Sequence, residues 1–78
     1  MSITLQYFGI LAEVTGISNE SIELSGTREK VIRAVLEKYP DLAELSFITA
    51  VNGKILHEDN AGIQEGDEIA LIPPAPGG

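Results

Sequence analysis

The chain lacks cysteine and tryptophan, and its 78 residues include one histidine and only five basic side chains. Without cysteine it has no disulfide, no thiolate nucleophile and no cysteine-ligated zinc or iron–sulfur site. The one histidine, His57, stands beside Glu58 and Asp59. One imidazole with two acids in a polar segment is a poor ligand set, so we expect a solvated loop and no metal site there. The sequence also lacks a Gly-rich phosphate loop and a serine–histidine–acid arrangement, which argues against ATP binding and hydrolase chemistry.

Because basic residues are few, the twelve Asp and Glu residues give a formal net charge of −7. Nucleic acid and anionic membranes should repel such a chain, since phosphate binding needs clustered Lys and Arg. The same charge would attract a basic protein partner, or would serve only solubility. No hydrophobic run is long enough to span a membrane, and residues 1–6 lack the basic start of a signal peptide. We therefore expect a cytoplasmic protein with no membrane or nucleic-acid partner.

Alternating and helical apolar patterns divide the sequence into five strands and one main helix, in the order ββαβββ. We predict one α+β domain over residues 1–72, with residues 73–78 forming a flexible tail that ends in Gly-Gly. Residues 10–14, after the first strand, are typical of a short helical turn or an ordered loop. The predicted strands cover residues 3–8, 21–24, 47–51, 54–56 and 68–72, and the helix lies between Thr27 and Pro40.

Local signals mark the ends of these elements. Thr27 can cap the free amides of the first helical turn, and Pro40 ends the helix because the residue before proline disfavours helical geometry. Asn52-Gly53 tolerates the positive φ angles that a tight type I′ hairpin turn needs. On the solvent side of the helix, Arg33 and Glu37 can pair across one turn.

Alternation in the first and last strands leaves two large apolar side chains, Phe8 and Ile72, on the face opposite the core. Exposed apolar side chains that lie close together often mark an interface. For Phe8 two other interpretations stay open: a stray surface residue, or burial under residues 10–14. The inward-facing set comprises Ile3, Leu5, Tyr7, Ile22, Leu24, Ile69 and Leu71.

After the last strand the sequence reads Pro73-Pro74-Ala75-Pro76-Gly77-Gly78. Prolines lack the amide donor of a sheet ladder and favour an extended path, whereas the two glycines carry no side chain. One interpretation is a frayed end. The other is a narrow tip that enters the catalytic channel of another protein, where the Gly78 carboxylate is activated. A Cβ at either of the last two positions would widen that tip.

These features together resemble the MoaD-like sulfur carriers, the small subunits of molybdopterin synthase. The similarity extends over essentially the whole chain, and its most specific part is the proline pair followed by the terminal Gly-Gly. The matching segments are Tyr7-Phe8-Gly9 leading to Ala12-Glu13 and Gly16, Ala50-Val51-Asn52, Gly66-Asp67-Glu68 before the last strand, and Pro73 to Gly78.

The resemblance implies a ubiquitin-like β-grasp fold, a mixed sheet wrapped around one helix. It also implies that the Gly78 carboxylate, preceded by Gly77, is adenylated and converted to a thiocarboxylate whose sulfur goes to a pyranopterin precursor. The partner-binding residues that it implies are Phe8, Ile55 and Ile72, with Pro73 and Pro74 shaping the exit of the tail.

Two protein partners follow from the same resemblance. One is an ATP-dependent, MoeB-like activating enzyme, which uses the ATP, so that this chain binds no cofactor. The other is a larger, MoaE-like synthase subunit, which supplies most of the catalytic site and with which the carrier forms a heterotetramer; the carrier itself is not an enzyme. Three alternatives stay open: a carrier for thiamine thiazole synthesis, a ubiquitin-like modifier of lysines, or an interaction domain that carries no sulfur.

Overall fold

In the computed structural model, which describes residues 2–74, the two predicted N-terminal strands, the main helix and the three later strands are all present, as predicted. The segment after the first strand is a short helix, and a 3₁₀ turn follows the main helix. In chain order the elements are β1 Ser2–Tyr7, α1 Ile10–Thr15, β2 Asn19–Glu23, β3 Gly26–Thr27, α2 Arg28–Lys38, the 3₁₀ turn Pro40–Glu44, β4 Ile48–Val51, β5 Lys54–Leu56, β6 Gly62–Ile63 and β7 Glu68–Ile72.

Five strands form one sheet in the order β2-β1-β7-β4-β5. The two central strands, β1 and β7, run parallel, with Tyr7 opposite Leu71, and every other pair in this sheet is antiparallel. The predicted mixed sheet is therefore confirmed. The short strands β3 and β6 pair separately as a two-stranded ribbon, which the sequence did not predict because two residues are too few to show alternation.

The core lies between one face of the sheet and α2. Along β1 and β7 every second residue is buried, which confirms the predicted inward set, while Ile22 and Leu24 pack partly buried against it. Apolar residues at one-turn spacing on α2 complete the other side of the core. The buried cluster comprises Ile3, Leu5, Tyr7, Leu11, Val31, Val35, Leu42, Ile63, Ile69 and Leu71.

The predicted boundaries of α2 are confirmed, but one predicted ion pair on its surface is wrong. The Thr27 hydroxyl accepts a hydrogen bond from the Lys30 amide at 3.3 Å, and α2 ends two residues before Pro40. Arg33, however, pairs with Glu29 at 2.7 Å and not with the predicted Glu37. On a helix, an ion pair is more favourable when the acid lies four residues before the base than when it lies four residues after it. This preference explains why Arg33 pairs with Glu29 and not with Glu37. Over residues 2–74, no helix has both the length and the apolar character needed to cross a membrane.

Candidate functional site

The sheet face turned away from α2 carries a row of three large apolar side chains. Ile72 on β7 pairs with Ile48 on β4, and Phe8 lies one residue beyond the Tyr7–Leu71 pair, which brings it beside Ile72. Phe8 is 47% exposed, so the alternative of burial under residues 10–14 is wrong. Both residues that alternation assigned to this face therefore lie there together.

A second row on the same face extends the apolar surface to the edge of the sheet. Ala70 pairs with Ala50, and Ala50 pairs with Ile55 on the edge strand β5. Ile55 is 53% exposed, whereas Ala50 is buried among its larger neighbours. We call the two rows the outer patch. It consists of Phe8, Ile48, Ala50, Ile55, Ala70 and Ile72.

Three members of the outer patch, Ile48, Ala50 and Ala70, were not predicted from the sequence. In β4 the polar residue Thr49 points into the core, so Ile48 and Ala50 point outward and the usual polarity of the two faces is inverted. Thr49 can be buried because its hydroxyl donates to the Leu56 carbonyl at 2.8 Å and accepts from Arg28 Nε at 2.7 Å. The only sequence signal for this inversion is the alternation around Thr49, and polarity alone assigns Thr49 to the solvent-facing side.

The chain leaves the sheet directly beside the outer patch. β7 is flanked by β1 and β4, and its last residue, Ile72, belongs to the patch. Pro73 follows partly buried and Pro74 exposed, and neither continues the strand. Gly77 and Gly78, predicted as the reactive end, lie outside the described residues, so the structure assigns them no geometry.

On the core side, Glu20 is the centre of a polar cluster that joins β1, β2 and the end of α2. One of its oxygens accepts from Tyr7 Oη at 2.7 Å and from Tyr39 Oη at 2.8 Å, and the other accepts from Lys38 Nζ at 2.5 Å. The two tyrosine rings meet edge to face, 5.7 Å apart. This cluster could not be predicted from the sequence, because Tyr7, Glu20 and Lys38 lie far apart along the chain.

The cluster shifts the titration of its members. Burial alone would raise the pKa of Glu20, but the hydrogen bonds from Lys38, Tyr7 and Tyr39 together outweigh it and hold that pKa below its usual value. Burial, followed by the hydrogen bond to Glu20, raises the pKa of Tyr7 far above that of a free tyrosine. At neutral pH Glu20 is therefore ionised and Tyr7 is neutral, and the cluster stabilises the packing of β1, β2 and the end of α2.

A second polar tie holds the turn that leads into β7. Asp67 accepts from the Gln64 amide at 2.8 Å and from Asn52 Nδ2 at 3.0 Å, and the Gln64 bond followed by the Asn52 bond lowers the pKa of Asp67. The other end of the Asn52 side chain accepts from the Glu68 amide at 2.9 Å. The hairpin turn at Asn52-Gly53 is thus bound to the start of the strand that carries Ile72.

His57 lies exposed between β5 and β6, and within the described range no three His, Cys, Asp or Glu side chains are grouped as metal ligands. The outer patch combines exposed apolar side chains on a regular sheet with the position at which the chain leaves β7. The described part of the site presents an exposed apolar surface of the kind that often marks a protein interface, next to the point where the chain leaves the sheet.

A protein-family model described as the ThiS family matches residues 5–78. Among curated proteins, the chain is similar to one named molybdopterin synthase sulfur carrier subunit from Chlamydomonas reinhardtii, with 29% identity over 83 residues and 100% of both chains covered. These matches agree with the resemblance stated from the sequence.

Two solved structures resemble the chain over nearly its full length. One is a chain in the complex of subunits 1 and 2 of the molybdopterin-converting factor from Helicobacter pylori. It has a TM-score of 0.75 and 28% identity, and the match covers 100% of this chain and 100% of that one. The other is the small archaeal modifier protein 1 from Methanosarcina acetivorans, with a TM-score of 0.85 and 21% identity, covering 99% of this chain and 96% of that one. The second likeness concerns the fold alone. The predicted ubiquitin-like β-grasp fold is confirmed.

Proposed function

Because the chain belongs to the ThiS family, we propose that it is a sulfur-carrier protein, the small subunit of a molybdopterin synthase. The curated relative and the Helicobacter pylori complex both bear names from this pathway, which supports the choice of pathway. The carrier works in the cytoplasm and binds no cofactor of its own. It brings the sulfur, and a larger MoaE-like subunit supplies most of the catalytic groups.

In the proposed reaction the Gly78 carboxylate attacks the α-phosphorus of ATP on a MoeB-like activating enzyme and releases pyrophosphate. A sulfide-level donor then displaces AMP, which leaves a thiocarboxylate. Adenylation is needed because a free carboxylate is a poor electrophile, whereas AMP is a good leaving group. The loaded carrier next inserts its end into the larger subunit, where the sulfur passes to a pyranopterin precursor. Gly77 and Gly78 keep the inserted end narrow.

The observation that carries this proposal is the position of the outer patch relative to the chain exit. Phe8, Ile55 and Ile72 lie on one exposed face, and Ile72 leads directly into Pro73 and Pro74. A partner that covers the patch therefore lies next to the point at which the chain leaves the sheet. Docking on that face would bring the residues after Pro74 close to the same partner.

The test is the intact mass of the full chain after incubation with an activating enzyme, ATP and a sulfide source. We expect a mass increase equal to the difference between one sulfur and one oxygen atom. The increase should be absent without ATP and absent from a variant that lacks Gly78. An unchanged mass of the wild-type chain with every activating enzyme tried, while a known carrier is converted in parallel, would rule out the carrier chemistry.

The family assignment is also compatible with a carrier for thiamine thiazole synthesis or with a modifier of lysines. Identifying the proteins that co-purify with the full chain separates these functions. A large synthase subunit supports molybdopterin synthesis, a thiazole synthase supports the thiamine pathway, and isopeptide-linked conjugates support a modifier. A chain whose cellular function survives removal of Gly77 and Gly78 is instead a non-carrier interaction domain.

A further inference from the structure

Gly9, between β1 and α1, has a backbone conformation that only glycine adopts easily. Its φ is 57° and its ψ is −132°, which is strained for any residue with an L side chain. A Cβ built at Gly9 would also lie 3.1 Å from Cγ of Pro73 and 3.8 Å from its Cδ. The Pro73 ring therefore rests directly against the bare Cα of Gly9. We call this the exit contact.

Pro73 is also the residue at which the parallel β1–β7 ladder must stop. The Phe8 amide donates to the Leu71 carbonyl at 3.1 Å, and in a parallel ladder the Phe8 carbonyl would next accept from the amide of residue 73. A proline has no such amide. The Phe8 carbonyl accepts instead from the Leu11 amide at 3.1 Å, in the first turn of α1.

The exit contact therefore ties the chain exit to the start of α1. The Gly9 carbonyl accepts from the Ala12 amide at 3.1 Å, so Gly9 is held by α1 on one side and packs on Pro73 on the other. Beyond the end of the ladder, the packing of the Pro73 ring on Gly9 fixes the position of Pro73 relative to α1. A displacement of Pro73 would move the point at which the chain leaves the folded domain.

We propose that Gly9 is a positioning residue for sulfur transfer, acting through Pro73 to aim the end of the chain at the catalytic site of the larger subunit. This inference rests on the proposed function. Gly9 touches no reacting group in it; its contribution is the absence of a side chain under the Pro73 ring. A misplacement of about 1 Å far from the chemistry can cost on the order of a hundredfold in rate.

The test compares Gly9→Ala with Gly16→Ala in the full chain. Gly16, at the other end of α1, also has a positive φ of 84°, but a Cβ there would meet nothing within 4 Å. Both variants carry backbone strain, and only Gly9→Ala disturbs the exit contact. Each carrier is first loaded as the thiocarboxylate, and single-turnover sulfur transfer is measured at saturating large subunit, with the Kd measured separately.

We expect Gly9→Ala to lower the saturated rate by between about tenfold and a hundredfold while its Kd stays that of the wild type. Gly16→Ala should leave the saturated rate unchanged. Pro73→Ala, which leaves Gly9 unstrained, should also lower the rate, and Gly9→Ala should cost less in the Pro73→Ala background than in the wild type. If Gly9→Ala does not fold, the Pro73→Ala rate decides the matter.

A Gly9→Ala rate equal to that of Gly16→Ala, effects of the two exit-contact variants that simply add, or a change in Kd alone would overturn the proposal. A wild-type chain that is loaded but transfers no sulfur would overturn the proposed function, and the role of Gly9 with it. Nuclear Overhauser contacts between the Gly9 α-protons and the Pro73 ring report the exit contact itself. They separate a missing contact from a missing function.

Discussion

At the scale of single residues, Ile55 offers the sharpest test of the outer patch. It is 53% exposed on the edge strand β5 and pairs with Ala50, so it can be changed without opening the core. We expect Ile55→Glu to weaken binding to the large subunit at least about tenfold, because a charge would be buried against apolar surface. Titration by calorimetry or surface plasmon resonance measures the change.

Ile17 gives the matched control for Ile55. It is also a large exposed apolar residue, at 37% exposure, but it lies between α1 and β2 and outside the outer patch. Ile17→Glu should leave the affinity unchanged, and both variants should melt within a few degrees of the wild type. Equal losses of affinity from the two substitutions would mean that the outer patch is not the docking face.

Glu20 yields a prediction about pH. Its pKa is lower in the folded chain than the ordinary value of 4.5, so its contribution to stability is present above pH 4.5 and is lost as the pH falls through the folded pKa. Glu20→Gln removes the charged acceptor of three hydrogen bonds and should cost about 1–3 kcal/mol at neutral pH. The difference between the two proteins in urea unfolding should shrink below pH 4.5. A difference that stays constant in acid would contradict the assigned role.

At the scale of elements, Asn52 links the β4–β5 hairpin to β7. It takes a φ of 51° in the turn, and its side chain bonds both Asp67 and the Glu68 amide. Asn52→Ala should lower the free energy of unfolding by about 1–3 kcal/mol, since strain at positive φ adds to the lost hydrogen bonds. Asn60, an exposed asparagine whose φ is negative, is the control, and Asn60→Ala should stay within about 0.5 kcal/mol of the wild type. Chemical denaturation measures both, and equal effects would refute the link.

The same elements show what the sequence could predict. The hairpin and α2 were predicted because their signals are local: Asn-Gly between two apolar runs, and Thr27 and Pro40 around a one-turn repeat. Strand order was not fixed by alternation, since alternation assigns a residue to a face and says nothing about which strand lies beside it. The resemblance implied only a mixed sheet, and the parallel pairing of β1 with β7 was not predicted. Hydrogen bonds such as the one from Tyr7 to Glu20 join residues that are far apart in the sequence, so no local pattern predicts them.

The candidate site was only partly predictable for a related reason. Phe8 and Ile72 could be assigned from alternation because β1 and β7 follow the usual polarity. Ile48 and Ala50 could not, because the buried Thr49 depends on a hydrogen bond from Arg28, 21 residues earlier in the chain. The exit contact between Gly9 and Pro73 likewise depends on the parallel pairing of the strands that carry them.

At the scale of the whole molecule, charge is distributed unevenly between the two layers. Four of the five basic residues, Arg28, Lys30, Arg33 and Lys38, lie on α2, on the side of the sheet opposite the outer patch. Of the strand residues that share the patch's face, the described ones include Glu68 and no Lys or Arg. A partner that covers this face is therefore expected to carry basic residues around an apolar centre.

The charge distribution predicts how salt affects assembly. The association rate with the large subunit should fall as ionic strength rises, while the dissociation rate, set mainly by the apolar contacts, should change little. Glu68→Gln should slow association at low salt, whereas Glu37→Gln, on the solvent side of α2, should not. Stopped-flow mixing over a series of salt concentrations measures both rates. An association rate that does not depend on salt would mean that the negative charge on this side of the protein does not steer the encounter.

The proposed division of labour between a docking face and a reactive end also predicts that the two can be separated. A chain without Gly77 and Gly78 keeps the whole of residues 2–74, so it should fold and bind the large subunit but carry no sulfur. It should therefore inhibit transfer from the loaded wild-type chain by competing for the same surface. Adding Ile55→Glu to the shortened chain should relieve the inhibition, because that substitution removes docking as well. If the shortened chain failed to inhibit while remaining folded, binding would depend on the last two residues, and the outer patch would not be sufficient as the docking surface.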